Sequence, residues 1–143
     1  MTTPSRASTN RHFRVRASIN GTDIGSFDKR TGGTTTAENS KHTPGSSPSA
    51  QVALGGPRVT EDVTIGRSFV ATRDHDLIRL YRPLAGLAEM TVTQVPLDKD
   101  GREFGRPEVW TGVLQTVGPP DYDSDSSDVS MFEIVMTTDG DPT

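Results

Sequence analysis

The chain has 143 residues and a mass of 15.4 kDa, a length that suits one domain of about 100–150 residues. Only 31% is hydrophobic, and no apolar run approaches the ~20 residues a membrane span needs, which excludes a helical span and argues against a long-helix or coiled-coil protein. A formal charge of −4 gives no general reason to bind nucleic acid or an anionic membrane, and zero cysteines remove disulfides, thiolate metal sites and thiol nucleophiles.

Residues 1–11 lack the apolar stretch of a secretory signal and read as a flexible arm. From residue 13, Phe13, Val15, Ala17 and Ile19 alternate with Arg14, Arg16 and Ser18, the period of a strand with one apolar face. Asn20-Gly21 follows, the dipeptide that a type I′ hairpin turn favours, and Ile24 and Phe27 continue on a return strand over 22–28. Residues 29–56 are a long polar stretch with Ala37, Val52 and Leu54 as its apolar anchors. A structureless loop of that length is uncommon within a compact domain, so the stretch is either a disordered insertion or an extended β-arm that packs on another subunit.

A long strand is predicted over 57–70, with Val59, Glu61, Val63 and Ile65 on one face, Thr60, Asp62 and Thr64 on the other, and a bulge at Gly66. The helical signal lies in 72–86. Thr72 is the predicted N-cap, Asp74 and Asp76 occupy the first turn, and Leu77, Ile78, Leu80, Tyr81 and Leu84 form one apolar stripe. Pro83 and Gly86 end it.

Residues 88–95 alternate again, and Asp98-Lys99-Asp100-Gly101 reads as a turn. In 107–117, Val109, Val113 and Val117 fall on one face and Trp110 and Leu114 on the other, so this strand reads as buried on both sides. An acidic loop over 119–128 precedes a last strand over 129–138, with Phe132, Ile134 and Met136 inward. Six strands and one helix give a mainly β domain over 12–138. Its architecture is an antiparallel sandwich or strongly curved, barrel-like sheet with the helix over an open edge, and 139–143 is a short tail.

Charge is unevenly placed. Arg6, Arg11, Arg14 and Arg16 precede the first acid, Asp23, whereas 121–143 holds seven acids and no Lys or Arg. These are either two solvated ends or complementary surfaces on a self-assembling protein.

Little in the chain assembles chemistry. His12, His42 and His75 share no metal-ligand spacing. Ser26-Phe27-Asp28-Lys29 matches S-x-x-K, but without companion motifs and on a hairpin. The D-x-D-G at 98–101 lacks the remaining ligands of a calcium loop. Asp121, Asp123, Asp125 and Asp128 are denser, and a monomeric β-sandwich binding module taking calcium there is the alternative reading. No catalytic residues, metal ligands or cofactor are assigned.

The segment FRVRASINGTDIGSFDKRTGG at 13–33 resembles the opening hairpin of tailed-bacteriophage tail tube proteins. LGGPRVTEDVTIGR at 54–67, the helix at 74–84 and VTQVPLDKDGREFGRPEVWTG at 92–112 are similar to the order that follows in that family. The family shares its fold with the type VI secretion Hcp protein and with tubes of contractile injection systems.

The resemblance implies a non-enzymatic structural subunit. It would form hexameric rings stacked into a tube, joined by the loop after the first hairpin and by both termini. It also implies partners: a tape measure protein, a tail terminator, baseplate or tip proteins, and a sheath if the tail is contractile. Genome DNA would pass through the lumen without specific binding. The expected location is the virion tail, made in the host bacterial cytoplasm, with no membrane partner. Expected lumen residues are Thr60, Asp62, Thr64, Glu133 and Thr137. Expected interface residues are Arg14, Arg16, Lys29, Arg30, Glu38, Lys41, Val52, Leu54, Trp110, Asp121, Asp123 and Asp125, with the two arginines pairing with the acidic loop of another copy.

Overall fold

A computed structural model describes residues 12–45, 49–140 and 142. The arm expected at 1–11 and part of the expected 139–143 tail lie outside the described residues.

The Asn20-Gly21 pair takes positive φ at both positions, 51° and 81°, as a type I′ turn requires. It joins β1 (Phe13–Ile19) to β2 (Thr22–Phe27). The ladder shifts beside Ala17 and Ser18, which leaves Ile24 as an extra residue on β2 and turns it into the core with Phe27.

After the single residue Asp28 come β3 (Lys29–Gly32), β4 (Thr35–Ala37), β5 (Lys41–His42), β6 (Gln51–Val52), β7 (Arg58–Thr60) and β8 (Val63–Ser68). Helix α1 (Ala71–Tyr81) runs on into a 3-10 turn at Arg82–Leu84. Strands β9 (Glu89–Pro96), β10 (Glu108–Val117) and β11 (Met131–Thr138) complete the order.

Seven strands form one sheet in the order β2-β1-β9-β10-β11-β8-β3, with every neighbouring pair antiparallel. One residue separates β2 from β3, yet these strands occupy opposite edges. The sheet must therefore curl until its edges meet. It is not closed into a barrel, since no ladder joins β2 to β8, although Asp28 N–H donates to Gly66 O at 2.9 Å where the edges approach.

The inner face of the curl is the core. Val15, Ala17, Ile19, Ile65, Met90, Val92, Leu114, Phe132, Ile134 and Met136 are buried there, and α1 adds Ile78 and Tyr81. Burial of each such large side chain is worth about 1.5–3 kcal/mol.

Four expectations are corrected. The strand at 57–70 breaks at Glu61 and Asp62, so Val59 leaves the core side and is 60% exposed. Gly66 is not a bulge, because β8 pairs with β11 in unbroken register. In β10 the register slips between Leu114 and Thr116, which brings Val117 inward with Trp110 and Leu114 and leaves Val113 on the open face. Helix α1 begins after Val70 rather than at Thr72, and Leu80 lies on its free side, 63% exposed.

Candidate assembly surfaces

Two glycines launch an arm from the sheet. Gly32 and Gly33 both have positive φ, at 79° and 81°, which L side chains rarely adopt. There is also no room for a side chain. A Cβ on Gly32 would lie 2.0 Å from Asp62 O, and one on Gly33 would lie 2.8 Å from Trp110 Nε1. The Trp110 indole covers this root and donates to Gly33 O at 3.1 Å. Above the ring, 4.8 Å from its centroid, lies the Arg30 guanidinium, which also donates to Gln94 Oε1 at 2.6 Å and to Gly32 O. Trp110, expected at an interface, is 3% exposed and spent within the chain.

Beyond the glycines the chain pairs with itself. Strand β4 pairs with β7 through Thr35↔Thr60, Thr36↔Val59 and Ala37↔Arg58, and β5 pairs with β6 through Lys41↔Val52 and His42↔Gln51. Glu38 N–H donates to Pro57 O and Ala53 N–H to Ser40 O, which continues the ribbon between the two short ladders. Thr138 Oγ1 donates to Thr60 O at 2.7 Å, tying the base of the ribbon to β11. Within 29–56, β3 belongs to the main sheet, and the described residues after Gly33 carry these two short ladders. Glu38, Lys41, Val52 and Leu54 are all exposed there, Leu54 at 97%.

The outer face of the sheet is mixed, with Val113 and Met131 among polar and charged side chains. Thr64, Glu133 and Thr137 lie there on β8 and β11, with Thr137 donating to Gln115 Oε1 at 2.8 Å and Lys29 3.8 Å from Glu133. Thr60 and Asp62 do not share this face, because the chain breaks before β8; Thr60 belongs to the arm ladder. Arg14 and Arg16 lie on β1 at 3.1 and 3.6 Å from Glu103, which reaches back from the turn between β9 and β10. Within the chain their partner is therefore Glu103, not the acidic loop.

Asp121, Asp123 and Asp125 are exposed, and Asp121 and Asp123 border a depression with Asp128 and Glu133. Among the described residues no group of three or more His, Cys, Asp or Glu side chains could hold a metal ion. Asp98 Oδ1 is occupied by the N–H groups of Asp100 and Arg102, each at 2.9 Å, as its turn requires.

The strongest electrostatic feature was not anticipated. Arg67, 3% exposed, points into the gap between β2 and β8. Its guanidinium donates to Ile24 O at 2.8 Å and Asp74 Oδ1 at 2.6 Å, and lies 4.5 Å from the Phe27 ring centroid. Asp74 also accepts from Arg73 Nε and from Val70 N–H, both at 2.9 Å. Burial alone would push the Asp74 carboxyl up, but the bonds from Arg73, Val70 N–H and Arg67 outweigh it and hold the group below the usual carboxylate range. The sequence carries a signal for this. In β8 an arginine continues the inward parity of Val63 and Ile65, seven residues before an aspartate in the first turn of a helix.

No family model and no curated protein sequence matches the chain. Solved structures do. A chain of the anti-feeding prophage cap, described as the tube-terminating cap, superposes with a TM-score of 0.71 at 11% identity, covering 100% of this chain and 93% of that one. A chain of the anti-feeding prophage baseplate gives 0.66 at 18% identity, covering 100% and 96%. A chain of the extended sheath–tube complex of the PVC extracellular contractile injection system gives 0.64 at 14% identity, covering 89% and 85%. The fold is therefore that of contractile injection system components and is tail-tube-like.

Proposed function

We propose that the chain is a non-enzymatic structural subunit of a phage-tail-like tube, in which rings of six copies stack around a lumen. The observation that carries this reading is the ribbon over residues 35–60. Among its described residues the strands β4 and β7, and β5 and β6, pair with each other, and exposed Val52, Leu54 and Val59 are held away from the core. Exposed strand edges and apolar side chains of this kind call for another chain to cover them. The likeness to injection-particle components supplies the setting.

In this reading Glu38, Lys41, Val52 and Leu54 join one copy to the next. Thr64, Glu133 and Thr137 line the lumen; Thr60 and Asp62, off this face, do not. Duplex DNA carries one negative charge per ~1.7 Å, so hydroxyls and a Glu133 carboxylate beside Lys29 offer it little hold, where a strongly basic wall would retain it. The Arg14 and Arg16 charges are offset by Glu103. The partners are other copies, a tape measure protein, a terminator, a baseplate and, in a contractile particle, a sheath. The location is the virion tail. A place at the end of the tube is the second reading, favoured by the full-length likeness to a cap chain.

The test is to replace residues 38–56 with a two-residue Asn-Gly turn. The expected protein keeps the native circular dichroism of the sheet and loses polymerisation. Tubes that form normally from it would remove the arm from the account. Single rings that never stack, from the unaltered chain, would favour the end-of-tube reading.

A further inference from the structure

Strand β2 ends the sheet, and among the described residues no strand pairs with its free side. The carbonyls of Ile24 and Ser26, two residues apart on β2, point together into the seam. One guanidinium nitrogen, Arg67 Nη1, meets both, at 2.8 Å from the first and 3.4 Å from the second. Backbone acceptors of this kind are what an added strand would use. The approach is built from both sides. Gly25, between the two carbonyls, has a φ of 101°, and a Cβ there would lie 2.9 Å from Arg67 Nη1. A side chain at 25 would strain the backbone and push the guanidinium off the edge. On its far side Arg67 is anchored by Asp74, and its guanidinium lies 4.5 Å from the Phe27 ring centroid. An apolar side chain would fill the same gap without burying a charge and leaving Nε unpartnered. It would not occupy the two carbonyls.

We propose that Arg67, admitted by Gly25, guards the β2 edge: it fills the acceptors that would otherwise template strand addition by a second copy of this chain. Inward-pointing charged side chains are one of the devices by which natural sheets avoid edge-to-edge pairing. The guard acts through a single residue from the opposite edge of the same sheet, so it works in each copy by itself. It stands apart from the tube reading, since it names an edge through which copies do not join.

The test separates the guard from the stability of the seam. Arg67→Met/Asp74→Leu fills the gap with apolar side chains and leaves Ile24 O and Ser26 O free. It is expected to keep the circular dichroism and cooperative urea unfolding of the wild type. On incubation it is nonetheless expected to gain about tenfold in thioflavin T fluorescence over the wild type at equal concentration, with aggregates scored apart from any tubes in electron micrographs. Gly25→Ala is expected to give the same gain with Arg67 and Asp74 both in place. Ser26 is exposed on β2, so Ser26→Lys puts a charge on that edge. Added to the double variant, it is expected to return the fluorescence to the wild-type level. A folded double variant that binds no more dye than the wild type would overturn the proposal. So would a gain that Ser26→Lys leaves unchanged, because the aggregation would then start elsewhere. If the double variant does not fold, Gly25→Ala with and without Ser26→Lys decides the matter by the same two readings.

Discussion

The Arg67 guanidinium lies 2.6 Å from the Asp74 carboxylate, with both side chains buried, at the point where the curled sheet fails to close. A barrel would join β2 to β8 with backbone ladder bonds. Here a side chain substitutes for them. Arg67 bonds to Ile24 O on β2, stacks on Phe27 and pins α1 over the gap through Asp74. Arg67 Nε has no hydrogen-bond partner in the structure, so the pair closes the seam without fully satisfying its own polar atoms.

Removal of one member leaves a buried charge uncompensated, which typically costs about 3–5 kcal/mol. Asp74→Ala is expected to fall in that range in urea unfolding at pH 7. Arg67→Met is expected to cost less, because Asp74 keeps Arg73 and Val70 N–H. The double variant Arg67→Met/Asp74→Leu is expected to lie closer to wild type than Asp74→Ala does. A double variant as unstable as the sum of the single changes would show that the pair does more than fill the seam.

The same carboxylate sets an acid limit. Its pKa is lower in the folded chain than the ~3.9 of an unfolded aspartate, so the unfolded state binds more protons as pH drops. The stability it contributes is present in full above the unfolded value and is lost as pH falls through the folded one. Unfolding free energy measured from pH 6 down to pH 2 is expected to decline over the acid end. Asp74→Asn is expected to flatten that decline, and an unchanged slope would assign the acid sensitivity to other groups.

Trp110 reports on the root of the arm. Trp110→Phe keeps most of the buried ring and deletes the bond to Gly33 O, a loss of about 1 kcal/mol. Hydrogen exchange is expected to speed up at the Gly33 end of the arm and to stay unchanged in β9 and β11. Uniform acceleration across the sheet would place Trp110 in the global core alone.

Much of this fold is legible in the sequence. The alternation at 13–19, the Asn20-Gly21 turn and the inward parity of Phe132, Ile134 and Met136 are local signals, and tertiary packing agrees with them. The partition of 57–70 was not legible. Val59 and Val63 share parity, and only the pairing of β7 with distant β4 shows that the strand breaks between them. Val117 was misplaced because a bulge carries no composition signal here. Leu80 was misplaced because the helix buries a narrow face through Asp74, Ile78 and Tyr81, and one of those three positions is a charge. The exposure of Glu38, Lys41, Val52 and Leu54 is readable from their polar surroundings. The inward placement of Trp110 depends on Gly33 crossing over it, 77 residues away in sequence.

The central claim is that copies of this chain complete one another around a pore. Electron microscopy of the purified protein across a concentration series, with sedimentation velocity on the same samples, tests it most directly. The account expects rings of six copies that stack into hollow tubes as concentration rises, each ring carrying an ordered arm against its neighbour. A compact monomer at every concentration, with neither rings nor tubes, would contradict it.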